Sequence, residues 1–267
     1  MSLRIRDITY TYPGSSAPTL KGISFGAEDG DVVSVIGANG AGKSTLLKNI
    51  IGFYKGGGEV WIDDLEKNAI SHKELHNRIG YMPQESALLT SLSVWTVVLL
   101  GRIGTLNLKV QEEDIKKTGA IIDLLGLNDV AERPFYALSG GQRRVVDVAQ
   151  TLVRDPSILI MDEPTSNLDL VNELQVLELV KAYTKQKHTS TLLTLHDLNL
   201  AARYSDKLIL LKDGTVFRSG PPEEVITEEN IREAYGVEAH IHVSSRTGTP
   251  MVLPLEATDK VTYNFLE

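Results

Sequence analysis

The chain has 267 residues, enough for one large α/β domain or one domain with an inserted subdomain. Apolar residues make up 42% and charged residues 23%, which places it among ordinary globular proteins with a sizeable core, and the absence of cysteine excludes disulfides and thiolate metal sites. A formal net charge of −8 argues against whole-surface attraction to nucleic acid or anionic lipid.

In chain order, RIRDITYTYP (4–13) alternates apolar and polar residues and reads as a half-buried strand. The opening MSLRIRDITY (1–10) shows no apolar run suited to secretion. DVVSVIG (31–37) is a short β-branched run closed by glycine, a buried strand, and GKSTLLKNIIG (42–52) has apolar residues at helical spacing. GGGEVWIDD (56–64) reads as turn and strand, and RIGYMPQ (78–84) as a strand ending in a Pro-Gln loop. From about 86 to 155 the pattern is helical, and its longest apolar stretch, SVWTVVLL, falls far short of the roughly 20 residues of a membrane helix. Any work at a membrane therefore needs another chain to span it. SILIMDE (157–163), TSTLLTLH (189–196) and DKLILLKDG (206–214) are buried strands, with an amphipathic helix over VNELQVLELVKAYTKQ between the first two. Strands alternating with helices imply a mainly parallel sheet covered on both faces, interrupted by a helical insert and followed from about 237 by a β-rich tail.

Two stretches look like phosphate cradles. GANGAGKST (37–45) fits G-x-x-x-x-G-K-[ST] between a strand and a helix, the required context of a P-loop. The amides of Asn39, Gly40, Ala41, Gly42, Lys43 and Ser44, with Thr45 following, can face phosphate oxygens at a positive helix end. Lys43 would neutralise the β- and γ-phosphates and the Ser44 hydroxyl would bind Mg²⁺. The strand SILIMDE delivers Asp162 and Glu163 at its C-terminal edge. Asp162 is placed to reach the metal, and Glu163, directed the other way by the pleat, to polarise an attacking water. The second cradle is LSGGQ (138–142), where Ser139 is a good N-cap and the Gly140 and Gly141 amides open a helix.

LSGGQ between a P-loop and ILIMDEP resembles the signature of ABC ATPases, and further motifs appear in that family's order over about residues 5 to 235. Tyr12 in TYTYPG resembles the aromatic residue that stacks on adenine. Gln84 in YMPQES resembles the glutamine that contacts Mg²⁺ and senses the partner subunit. SNLD (166–169), ending in Asp169, resembles the D-loop, and His196 in LTLHDLN the switch histidine at the γ-phosphate. The resemblance implies an α/β P-loop NTPase fold of the ABC ATPase type: a mainly parallel sheet core, an antiparallel β subdomain and an inserted α-helical subdomain. The whole chain is then a single ABC ATPase domain, with 1–85 and 156–236 as nucleotide-binding core, 86–155 as helical signature subdomain and 237–267 as a short β-rich extension. It also implies ATP with Mg²⁺, and a head-to-tail homodimer in which each ATP lies between one chain's P-loop and the other's Ser139, Gly140, Gly141 and Gln142. Glu163 is the expected base, with Lys43, Gln84 and His196 acting on the phosphates.

About a hundred residues separate P-loop and signature, with no heptad run and no tandem half. This favours a transporter subunit over ABC ATPases of chromosomes or ribosomes, and no nucleic-acid partner is expected. The expected partners are integral permease subunits and, indirectly, an external solute-binding protein, with the chain on the cytoplasmic face of the cell membrane. HDLNLAARYSDKLILLKDGTVFRSGPPEEVITEENIREAYGV and the tail HIHVSSRTGTPMVLP resemble the importer branch for iron–siderophore, haem or vitamin B12. Ile103, Gly104, Asp63-Asp64 and Asp147 depart from that branch, and molybdate, tungstate or other metal importers are the alternative. His240 and His242 would share one face of a surface strand.

Overall fold

The computed structural model describes residues 2–84, 90–102 and 110–258. Ile103, Gly104 and the start of the helical pattern at about 86 lie outside them.

The central sheet has the order β10-β9-β3-β8-β7-β6, formed by β3 (Val32–Ile36), β6 (Ile79–Met82), β7 (Ile158–Asp162), β8 (Ser190–Thr194), β9 (Lys207–Lys212) and β10 (Thr215–Gly220). All neighbours run parallel except β10, which pairs antiparallel with β9. Every residue of β3, β7 and β8 is buried, as expected of strands covered on both faces. The pleat divides them cleanly. Val33, Val35, Ile158 and Ile160 pack with Leu46, Leu47 and Ile50 of α1 (Lys43–Ile50) on one face. Val32, Ile36, Leu159 and Met161 pack on the other with α6 (Leu170–Lys187), α7 (Leu198–Tyr204) and α9 (Glu228–Tyr235).

The α1 side is closed by an antiparallel sheet of order β2-β1-β4-β5, from β1 (Leu3–Tyr10), β2 (Leu20–Ala27), β4 (Gly57–Ile62) and β5 (Leu65–Glu66). The buried positions of β1 shift from odd (Leu3, Ile5) to even (Ile8) across a bulge, where Asp7 takes a positive φ of 52°. The bulge turns the inward face back toward the core after the slip of one residue. α2 (His72–Arg78), capped by the Ser71 hydroxyl, leads into β6.

A third core holds α3 (Val94–Leu100), α4 (Glu112–Leu124) and α5 (Gly140–Leu152), with Phe135 fully buried among Val94, Val98, Ile122 and Val146. The Arg102 Nε donates to Asp114 Oδ1 at 2.5 Å and its Nη1 to Val153 O at 3.1 Å, tying the ends of α3 and α5 to the start of α4. After β10 come the short helix α8 (Pro222–Val225), then α9, then a hairpin of β11 (Val237–Val243) and β12 (Pro250–Ala257). The strands β2 and β10 and the helices α2, α7 and α9 are findings of the structure that no sequence pattern above announced.

Candidate active site

The P-loop turns from β3 into α1 between Gly37 and Gly42. Gly42 is the N-cap of α1 at φ 102°, and a Cβ there would lie 2.8 Å from Leu20 Cδ2. At Gly37 a Cβ would lie 2.4 Å from Leu211 O. Gly37 is thus demanded by close packing against backbone and by its positive φ of 149°, and Gly42 by its backbone conformation, since the leucine methyl beside it can move aside. Lys43 is buried, and its Nζ donates to the loop's own carbonyls, Gly37 O at 2.7 Å and Ala38 O at 3.2 Å. Burial pushes the Lys43 ammonium below its usual range, while Glu163 and Asp162 pull it back up. The Ser44 Oγ donates to Asp162 Oδ1 at 3.1 Å, and the Thr45 and Tyr12 hydroxyls are hydrogen-bonded at 2.9 Å.

Strand β7 ends at Asp162, whose Oδ1 also accepts from Thr194 Oγ1 at 2.6 Å, at the end of β8. The same hydroxyl accepts the Glu163 N–H at 2.9 Å. Glu163 is not placed by the pleat, because it has left the strand with φ at 51°, an uncommon left-handed conformation for a residue with a side chain. That turn carries its carboxylate to two partners. Gln84 Nε2 donates to Oε2 at 2.8 Å, and His196 Nε2 lies 2.6 Å from Oε1. A buried arginine fixes the backbone of this turn. From α5, Arg144 donates to Asp162 O at 2.9 Å, Glu163 O at 2.5 Å, Pro164 O at 3.2 Å and Pro83 O at 2.9 Å. Its other neighbour is Asp147, whose carboxylate stands 4.0 Å from Nη1, so this polar choice on the helix serves the arginine.

Tyr12, Asn39, Gly40, Gly42, Lys43, Ser44, Thr45, Gln84, Glu163 and His196 line one open cleft of about 550 Å³. Ala41 is buried beneath the loop. Tyr12 stands in a cluster with Tyr10 and Tyr54, ring centroids 5.0 and 5.6 Å away. Ser139, Gly140, Gly141, Gln142 and Asp169 do not line this cleft. Ser139 and Gln142 form a reciprocal cap at the start of α5, each side chain accepting the other's N–H, at 3.2 and 3.1 Å. Asp169 caps α6, accepting the Asn172 N–H at 2.8 Å. His240 and His242 lie on β11, with His240 Nδ1 3.3 Å from Glu228. Among the described residues no group of three or more His, Asp or Glu gathers as a metal site. Sequence reasoning missed Arg144 and Thr194. Arg144 bonds to carbonyls, which carry no residue identity, although an arginine on the apolar-patterned helix after LSGGQ was a usable signal.

A glycine-walled loop between a buried parallel strand and a helix, a buried lysine within it and an acidic strand end beside it define a P-loop nucleotide hydrolase. The family model of the ABC transporter ATPase domain, described as "ABC transporter", matches residues 20–166. The chain belongs to that family and is an ATP-hydrolysing ATP-binding cassette. It is 41% identical over 256 residues to an uncharacterised ABC transporter ATP-binding protein of Methanocaldococcus jannaschii, covering 96% of this chain and 98% of the relative. It is 34% identical over 239 residues, 88% of each chain, to the ferric enterobactin transport ATP-binding protein FepC of Escherichia coli. Among solved structures, an inward-facing ABC transporter described as of metal-chelate type superposes with a TM-score of 0.82 at 26% identity, over 96% of this chain and 98% of that one. Among the described residues no helix is long and apolar enough to cross a membrane.

Proposed function

We propose that this chain powers an importer of the iron–siderophore, haem or cobalamin class as a homodimer seated on the cytoplasmic face of integral permease subunits, which receive cargo from an external solute-binding protein. The observation that carries the reading is the convergence of Gln84, Glu163 and His196 at the P-loop cleft while the second cradle lies off it. In one chain LSGGQ faces no nucleotide, so it serves a second copy head to tail. The support for the cargo class lies in relatives named for ferric enterobactin, petrobactin, iron(3+)-hydroxamate and hemin import. Relatives named for phosphonate import favour a second reading, an oxyanion cargo. In this reading 1–85 and 156–236 form the nucleotide-binding core, 86–155 the helical signature subdomain and 237–267 a short β-rich extension.

In this reading the amides of Asn39 to Thr45 and Lys43 hold the phosphates, and Tyr12 lies against the base. Glu163 takes a proton from a water as the water oxygen bonds to the γ-phosphorus and the bond to the β-phosphate oxygen breaks, giving ADP and phosphate. Gln84 and His196 aim that carboxylate by one hydrogen bond to each oxygen, leaving lone pairs for the water. A Mg²⁺ ion fits the donor set. Ser44 Oγ and Asp162 Oδ1 are two hard oxygens 3.1 Å apart, and Gln84, with its nitrogen on Glu163, keeps Oε1 as an acceptor. The ion supplies charge neutralisation at the phosphates.

The test is a tagged Glu163→Gln chain expressed in its own cell, with membranes solubilised gently in ATP. Hydrolysis should fall at least 100-fold, and the chain should be recovered as a dimer with a polytopic membrane protein. Hydrolysis at the parental rate removes Glu163 as the base. Recovery with ribosomes or DNA-bound proteins alone removes the transport reading.

A further inference from the structure

Among the described residues, strand β12 is paired along one edge only, with β11. Residues two apart in a strand direct their N–H groups the same way. Val252 lies opposite Ile241 in the register, yet its N–H goes to Asn199 Oδ1 at 2.7 Å and its carbonyl accepts from Asn199 Nδ2 at 3.4 Å. Positions 250, 252 and 254 therefore face away from β11, and two of them, Pro250 and Pro254, have no N–H to offer. Prolines on an edge block further strand pairing. The one donor they leave in this run is taken by a side chain of α7.

The address of that side chain is informative. Asn199 stands in the first turn of α7, where Asp197 Oδ1 caps its N–H at 2.7 Å and that of Leu200 at 2.9 Å. The residue before the cap is His196, whose Nε2 sits on Glu163. Val252 and Ala239 of the hairpin are buried in the same core as Ala201 and Ala202 of α7. The His196 side chain is 52% exposed, so few side-chain contacts hold it, and its direction follows the backbone between β8 and α7.

We propose that Asn199 is a positioning residue for ATP hydrolysis: by gripping both outward groups of Val252 it locks the start of α7 to the C-terminal hairpin, and so aims His196 at Glu163. The proposal rests on the roles given above to Glu163 and His196. Without the Asn199 amide, the first turn of α7 loses its polar tie to β12. A displacement of under an ångström at a reacting group has a large kinetic effect.

The experiment uses the full chain with ¹⁵N-labelled histidine rings, in parent, Asn199→Ala, Asn199→Asp, Val252→Pro and His196→Ala forms. Asn199→Ala should lower kcat about 10-fold with KM for ATP unchanged within about twofold. It should move the ring-nitrogen resonance of His196, assigned by its loss in His196→Ala. Val252→Pro deletes the outward donor and exchanges the buried Val252 side chain, but takes no N–H from the β11 ladder; it should do the same, and it also carries the test if Asn199→Ala fails to fold. Asn199→Asp keeps the acceptor for the Val252 N–H but loses the donor to its carbonyl, and should restore part of kcat. In the His196→Ala background the Asn199→Ala change should cost nothing further. Parental kcat with an unmoved His196 resonance, or an equal fall in both backgrounds, overturns the positioning role. Parental hydrolysis by His196→Ala alone would instead remove the role given to His196.

Discussion

At the scale of single residues, the site depends on groups that never line it. Arg144 is the plainest case. It is 5% exposed, and one guanidinium joins four carbonyls from two separate stretches, Pro83 and the turn Asp162–Pro164. The fork geometry is what allows this, since a lysine is a point charge with three donors. Burial presses its charged form downward, and Asp147, Asp162 and Glu163 oppose that. Arg144→Ala leaves four buried acceptors short of a donor, and should lower stability by about 3 kcal/mol in urea denaturation. Arg144→Lys should recover less than half. Because Glu163 holds a positive φ that the arginine helps to fix, kcat should fall in both variants even at temperatures where they are fully folded.

At the scale of elements, what was legible in the sequence was whatever is local. The P-loop, the strand ending in Asp162 and Glu163, and the capped helix at Ser139 are contiguous patterns whose physics lies within a few residues. β1 was legible as a strand although its bulge was not, since Asp7 looks like any polar position. β2 escaped because Gly22 and Gly26 dilute its alternation, and α2 and α7 because seven residues barely show a helical period. Long-range ties such as Arg102 to Asp114 have no local signature at all. Asp114 accepts the Gln111 N–H and the Arg102 guanidinium, which together hold its carboxyl below the ordinary 3.8. Asp114→Asn should therefore lower the melting temperature at neutral pH, by the equivalent of about 2 kcal/mol. A carboxyl with a depressed folded value stabilises above its unfolded value and loses that contribution as pH falls through the folded one. The gap between parent and variant should accordingly be full above pH 3.8 and close in more acid solution.

At the scale of the whole molecule, the glycines of the second cradle separate what the chain needs from what an assembly needs. Unlike Gly37 and Gly42, neither Gly140 nor Gly141 is required by its own chain. A Cβ at Gly140 would meet nothing within 4 Å, and one at Gly141 would meet Leu168 at an ordinary 3.6 Å. Both stand in the first turn of α5 without a positive φ, where glycine is the costlier choice. If a phosphate and a second copy of the chain approach these amides, the missing side chain is explained by the partner's surface. Stability and activity should then respond in opposite directions. Gly140→Ala should stabilise the isolated chain by a few tenths to about 1 kcal/mol and leave nucleotide binding to the P-loop of the same chain unchanged. It should lower hydrolysis by the assembly. Mixing it with Lys43→Ala chains, which lack the P-loop ammonium but carry an intact LSGGQ, rebuilds one complete composite site per mixed dimer. The mixture should hydrolyse ATP faster than either variant alone. A mixture no faster than the sum of its parts would place the second cradle outside the reaction, and the glycines there would need another explanation.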